Sequence, residues 1–211
     1  MRRFDTEREE MVALIVDRGV KDQNVLRAMS AVHRHLFVPE PFTSRAYEDS
    51  ALPIGKGQTI SQPYTVALMT EALQVRSGGK ILEIGTGSGY QAAILAEMGA
   101  HVFSIERDPD LLAGARQILE TLGYHVAAKC GDGTVGWKEF GPFNGIIVTA
   151  GAPSVPQPLL DQLANGGRLV IPVGNLEFQT LVICTRHGKE IVRKETDGFK
   201  FVPLVGKMGW R

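Results

Sequence analysis

Cysteine is nearly missing from this 211-residue chain: Cys130 and Cys184 are its two thiols, far apart and without metal-ligand spacing. That excludes a disulfide framework and leaves buried free thiols as the expectation. The five histidines form no H-x-x-x-H cluster, so no metal is expected, at His33 and His35 or elsewhere. Charge of one sign is not in excess either. Lys+Arg and Asp+Glu both number 23, which leaves no global field to draw the chain to nucleic acid. The Lys and Arg scattered after Arg186 read as a solvated face. No apolar run approaches the ~18 residues of a membrane span, and the first residues (Met1, Arg2, Arg3, Phe4, Asp5) lack the apolar core of a signal peptide. A cytoplasmic protein with no membrane or nucleic-acid partner is expected. Internal repeats, low-complexity segments and long linkers are also missing. The length suits one sizeable α/β domain over 1–211, with a helical cap and a polar loop over 1–63 and a core over 64–211.

What is present is organised around Lys80 to Tyr90, K-I-L-E-I-G-T-G-S-G-Y. A short apolar run (Ile81, Leu82, Ile84) breaks into Gly85, Gly87 and Gly89, and the helix-forming stretch Tyr90 to Met98 follows. Strand, glycine loop and helix in that order bring bare backbone and a helix N-terminus to a ligand. A dinucleotide fingerprint starting at Gly85 would need glycine at position 90, where Tyr stands. The pattern is acid-x-G-x-G-x-G, with Glu83 as the acid. Glu106 closes the next apolar run (101–105), and its carboxylate suits a ribose diol. Gly131, Asp132 and Gly133 place a third acid after the third strand. Three acids at or near three strand ends suit a ligand with hydroxyls, an amine and positive charge. The combination resembles the class I methyltransferases that use S-adenosylmethionine.

The remaining elements follow from periodicity and capping signals. Helices are expected over 4–18, ended by Gly19, and from Asp22 through Val32; this N-terminal addition is a candidate for covering the cofactor or gripping the substrate. Tyr47 to Pro63 carries two prolines, two glycines and little periodicity, so it reads as a loop. Pro63 opens a helix, which makes capping the bland explanation of Ser61; the functional one is that Gln58, Thr59 and Ser61 face a ligand. Asp108-Pro109 starts another helix. Strands are expected over 126–130, 143–148, 168–172, 180–185 and 190–192, with a short helix over 156–163, a turn at Asn165-Gly166-Gly167, and 199–205 extending the last strand. The fold class is α/β: a Rossmann-like, mostly parallel, doubly wound sheet of about seven strands with an antiparallel edge and an N-terminal helical addition.

The stretch A-L-P-I-G-K-G-Q-T-I-S-Q-P-Y (51–64), with L-E-I-G-T-G-S-G-Y, G-D-G, I-I-V-T-A-G-A-P, G-G-R-L-V-I-P-V-G and F-V-P-L-V, is similar to the protein-L-isoaspartate O-methyltransferases over nearly the whole chain. The resemblance implies a repair enzyme that acts on damaged proteins and peptides and methylates the α-carboxyl group of L-isoaspartyl residues; a monomer is expected. The ester then collapses to a succinimide that partly reopens to aspartate. It implies Ser61 as the active-site residue, and Gln58, Thr59, Ile60, Glu83, Gly85, Thr86, Gly87, Gly89, Glu106, Asp132 and Gly133 as the S-adenosylmethionine set. It also implies a methyltransferase sheet with its last strands rearranged. No G-x-S-x-G elbow surrounds Ser61, so it reads as an orienting group and not a nucleophile. Other readings stay open: another acceptor for the same cofactor, a non-catalytic S-adenosylmethionine-binding subunit, or a nicotinamide oxidoreductase, the last disfavoured by Tyr90.

Overall fold

Glycine, proline and capping side chains set most element boundaries in the structure, a computed structural model that describes residues 4–211. Met1, Arg2 and Arg3, part of the stretch read above for a signal sequence, lie outside the described residues. Helix α1 (Asp5–Asp17) stops before Gly19, and Asp22 caps α2 (Gln23–Ala31) by accepting from the Asn24 and Val25 N–H groups. Strands β1 (Leu52–Gly55) and β2 (Gln58–Ile60) form a small antiparallel sheet. The 47–63 segment is therefore not all loop. Strands of four and three residues are too short to display an alternation, which is why the sequence concealed them.

Helix α3 (Pro63–Leu73) begins at its proline as expected. Then come β3 (Lys80–Ile84), α4 (Tyr90–Glu97), β4 (His101–Glu106), α5 (Pro109–Thr121, capped by Asp108) and β5 (Val126–Cys130). The chain ends with β6 (Phe143–Val148), α6 (Gln157–Asp161), β7 (Leu163–Gly174), β8 (Gln179–His187) and β9 (Glu190–Phe199). The large sheet has the order β5-β4-β3-β6-β7-β8-β9, parallel through β7 and antiparallel beyond it. The expected α/β class, seven strands and antiparallel edge are all present. The links after β7 are too short for a crossover helix, so the last three strands form a meander in chain order.

Alternate residues of the central strands sort into two cores. Ile81, Ile147, Val170 and Leu181 pack with α1 to α5 through Ile15, Met29, Val66, Ile94 and Leu119. Leu82, Ile146, Leu169 and Val182 pack on the opposite face with Phe143 and Leu159. A sheet covered on both faces needs strands apolar at successive positions, hence the near-continuous run in β6.

Four expectations need correction. Strand β9 runs to Phe199, well past Val192, because it pairs along the full length of β8. Residues 200–205 do not extend it: Pro203 has no N–H to donate to a ladder, and the chain turns back to the strand ends, where Gly151 N–H donates to Val202 O and Leu204 N–H to Gly151 O. Asn165-Gly166-Gly167 lies inside β7 as an irregularity, since the β6 pairing jumps from Phe143–Leu163 to Gly145–Arg168. Cys130 is exposed, at the end of the edge strand β5, while Cys184 is buried as expected. No helix among the described residues is long and apolar enough to cross a membrane.

Ile146, fully buried in β6, should cost about 2–5 kcal/mol when changed to Ala, through lost transfer energy and a cavity. Leu176→Ala, at a position 54% exposed between β7 and β8, should stay within about 0.5 kcal/mol. Urea midpoints measure both, and equal losses would contradict this division of the core.

Candidate active site

The strand order reverses between β3 and β6, and at such a switch point the loops leaving neighbouring strands part and open a crevice. A cavity of about 270 Å³ lies there. One wall is the run Gly85 to Ser88 after β3, Glu106 at the end of β4, Gly133 after β5, and Thr149 and Ala150 after β6. Gln58, Thr59, Ile60 and Ser61 line it as well, with Val202, Pro203, Leu204 and Val205.

The glycine loop is held bare by neighbours that leave no room for side chains. Gly85 has φ +97°, and a Cβ there would lie 2.5 Å from Thr149 Oγ1, which donates to the Ile84 and Gly85 carbonyls at 3.0 and 2.8 Å. A Cβ on Gly133 would overlap the Ile84 side chain, so only glycine lets the β5 loop close onto the end of β3. Glu106 ties the loop to β4. Its Oε2 accepts from Gly87 N–H at 2.9 Å, and its Oε1 from Arg107 and Asp108 N–H at 2.8 and 3.0 Å. That uses three of the roughly four acceptor positions of a carboxylate and leaves room for one hydroxyl.

The other two acids at the strand ends do not line the cavity. Glu83 is wholly buried beneath the loop, where Ser104 Oγ donates to its Oε2 and bonds Thr86 Oγ1 at 2.6 Å. Its Oε1 has no hydrogen-bond partner among the described residues. Burial, offset in part by Ser104 and reinforced by the Glu106 charge, pushes the Glu83 carboxyl up to about 8. Glu83 is therefore mostly protonated at neutral pH. Asp132 accepts from Thr134 N–H, Thr134 Oγ1 and Lys207 N–H at 2.9, 2.7 and 2.7 Å. Burial works against its charge, and these hydrogen bonds overcome that and hold it below the usual carboxylate range. It thereby anchors the C-terminal tail, which Trp210 Nε1 also fastens to Gly151 O at 3.0 Å. Gly89 is likewise outside the cavity, as the N-cap of α4 against Leu119.

Capping does not explain Ser61. The N-cap of α3 is Gln62, which makes no side-chain cap bond, and the Tyr64 N–H is taken by Asp49. Ser61 faces the cavity with its neighbours. Helices α1 and α2, expected as a cover, spend their apolar faces on α3 and α4 and do not line it. Sequence reasoning missed Tyr90, Thr149 and the tail residues 202–205 as lining. Thr149 had a usable signal, its place directly after a buried strand; the tail had only the F-V-P-L-V run that carries the family resemblance.

The native state keeps a Glu83 proton that the unfolded chain releases near pH ~4.3. This group is neutral for stability below that value, costs progressively more as pH rises to about 8, and costs a constant amount above. Glu83→Gln cannot ionise, so its stability should fall less than that of the native chain between pH 5 and 8. Thermal melts across that range test this, and parallel curves would contradict it.

The family model for protein-L-isoaspartate(D-aspartate) O-methyltransferase matches residues 6–209. A protein-L-isoaspartate O-methyltransferase of Dictyoglomus thermophilum is 50% identical over 216 residues, covering 100% of this chain and 98% of the relative. A solved protein-L-isoaspartate O-methyltransferase has a TM-score of 0.87 at 31% identity, over 96% of this chain and 67% of that one. Another, from Plasmodium falciparum in complex with S-adenosyl-L-homocysteine, has a TM-score of 0.81 at 28% identity, over 93% of this chain and 97% of that one. Matched along almost its whole length in both sequence and fold, the chain belongs to the protein-L-isoaspartate(D-aspartate) O-methyltransferase family.

Proposed function

We propose that this protein transfers a methyl group from S-adenosylmethionine to the α-carboxylate of L-isoaspartyl residues in damaged proteins and peptides, with Ser61 orienting the acceptor. The observation that carries the reading is that Ser61 and the glycine loop line one cavity at the switch point. The residues there fit the cofactor. Glu106 has an acceptor position left for a ribose hydroxyl, Gly85 and Gly133 leave backbone exposed where side chains would fill, and Ile84, Ile105 and Leu204 offer apolar surface. When bound, S-adenosylmethionine supplies a methyl group on a cationic sulfur.

In this reading Gln58, Thr59, Ile60, Gly85, Thr86, Gly87, Glu106 and Gly133 contact the cofactor directly. Glu83, Gly89 and Asp132 serve it from outside: Glu83 braces Thr86 through Ser104, Gly89 opens α4, and Asp132 holds the tail over the cavity. Residues 1–63 contribute the cap and acceptor loop, and 64–211 the cofactor-binding core, of one domain. A monomer working in the cytoplasm is the setting proposed for this activity.

The acceptor is a carboxylate of pKa ~4, ionised already at neutral pH, so no residue need remove a proton. The Ser61 hydroxyl donates to one carboxylate oxygen and leaves the other free to react. Opposite charges cancel as the ester forms, so a water-poor cavity favours the reaction over the separated ions. Alignment is the remaining requirement, worth on the order of 7–11 kcal/mol at best. The backbone nitrogen that follows the ester then expels methanol and closes the succinimide without help from the protein.

A hydrogen bond to a charged group contributes about 1.5–3 kcal/mol, so Ser61→Ala should lower kcat on an L-isoaspartyl peptide about 10- to 100-fold. S-adenosylhomocysteine binding should stay within about twofold, since Glu106 and the glycine loop are untouched. An unchanged kcat with saturating peptide would remove Ser61 from the mechanism.

A further inference from the structure

We propose that Asp49 is a positioning residue for the transfer, fixing Ser61 by holding both the Gln62 side chain and the Tyr64 backbone from a loop outside the cavity. The inference rests on the reading of Ser61 as the acceptor-orienting group.

Two carboxylate oxygens of one side chain meet the two residues that flank Pro63. Asp49 Oδ2 accepts from Gln62 Nε2 at 2.7 Å, and Oδ1 from Tyr64 N–H at 2.9 Å. Pro63 between them has a fixed φ, so the segment leaving Ser61 has little freedom left. Arg18 completes the cluster: its guanidinium pairs with Asp49 Oδ2 and stacks over the Tyr64 ring at 3.5 Å. A helix N-terminus is ordinarily served by its own N-cap side chain. Here the service comes from a residue far upstream, which makes the aim of Ser61 a tertiary property.

Asp49 is itself held on both sides. The fully buried Arg34 donates through Nε to Ala46 O at 2.7 Å and through Nη2 to Ser50 O at 3.2 Å, clamping the segment that carries Asp49. On the other side of Ser61, Ile60 pairs with Leu52 in the β1–β2 sheet. Ser61 therefore sits between a strand pair and the Asp49 cluster, and Asp49 is the element of that clamp that no local sequence signal supplies. Of these groups only Ile60 and Ser61 line the cavity, and Ile60 is held by its pairing with Leu52, so the cofactor walls do not depend on Asp49.

The test is a cycle of Asp49→Ala, Ser61→Ala and the double variant, with Asp49→Asn beside them. Turnover is measured on an L-isoaspartyl peptide with saturating S-adenosylmethionine, and S-adenosylhomocysteine binding by calorimetry. Asp49→Ala is expected to lower kcat about tenfold or more with cofactor affinity within about twofold, and to cost little further in the Ser61→Ala background. Asp49→Asn keeps the volume and one acceptor, so it should lose less, and it carries the test if Asp49→Ala does not fold. An unchanged kcat, a parallel fall in cofactor affinity, or full additivity with Ser61→Ala would overturn the proposal. If Ser61→Ala is itself without effect, the Ser61 reading fails first and is identified as the failure.

Discussion

Three backbone N–H groups converge on the Glu106 carboxylate, and the geometry of the cavity depends on that convergence. The Gly87 bond ties the glycine loop after β3 to the end of β4, and the Arg107 and Asp108 bonds fix the carboxylate that receives it. Gly85 and Gly133 keep the cavity wall there thin, because Thr149 and Ile84 stand where their side chains would go. Around this point the two cores hold β3 and β6 in the middle of the sheet, and Asp132 draws the tail across the strand ends. The cavity thus draws its lining from six separate segments, held by bonds to one another and to residues behind them.

Two buried ionisable groups outside the cavity are handled in opposite ways. Glu83 is buried beneath the loop with one oxygen lacking a partner among the described residues, and it relieves the cost of burial by keeping a proton. Arg34 keeps its charge: burial lowers it to about 10, still well above neutrality, and two carbonyls and the Tyr90 ring receive it. The proposed chemistry benefits from both. A neutral Glu83 adds no negative charge under the loop, and a charged Arg34 fixes the segment from which Asp49 reaches the acceptor loop.

The sequence disclosed much of the fold, because parallel strands covered on both faces announce themselves as apolar runs and their helices by Asp22, Pro63 and Asp108-Pro109. It disclosed less where geometry depends on distant partners. The β1–β2 pair is too short for a pattern, and the tail from Val202 has no strand period because its partners are Gly151 and Asp132. At the site the glycine loop, Glu106 and the 58–61 loop were legible, and all of them but Gly89 line the cavity. Glu83 and Asp132 look equivalent to Glu106 in a linear reading. Burial of one and hydrogen bonding of the other to Lys207 set them apart, and neither is visible before folding. Asp49 carries no motif, and only the contacts to Gln62 and Tyr64 reveal it.

The most direct measurement is transfer of a labelled methyl group from S-adenosylmethionine to a short peptide containing L-isoaspartate, beside the same peptide with normal aspartate. Label in the first alone is the predicted result, since the proposed acceptor is a free α-carboxylate at the damaged residue, which the L-isoaspartyl peptide presents and the normal one does not. Label in neither peptide, although the cofactor binds, would contradict the acceptor assigned to this cavity. Equal label in both would contradict its selectivity.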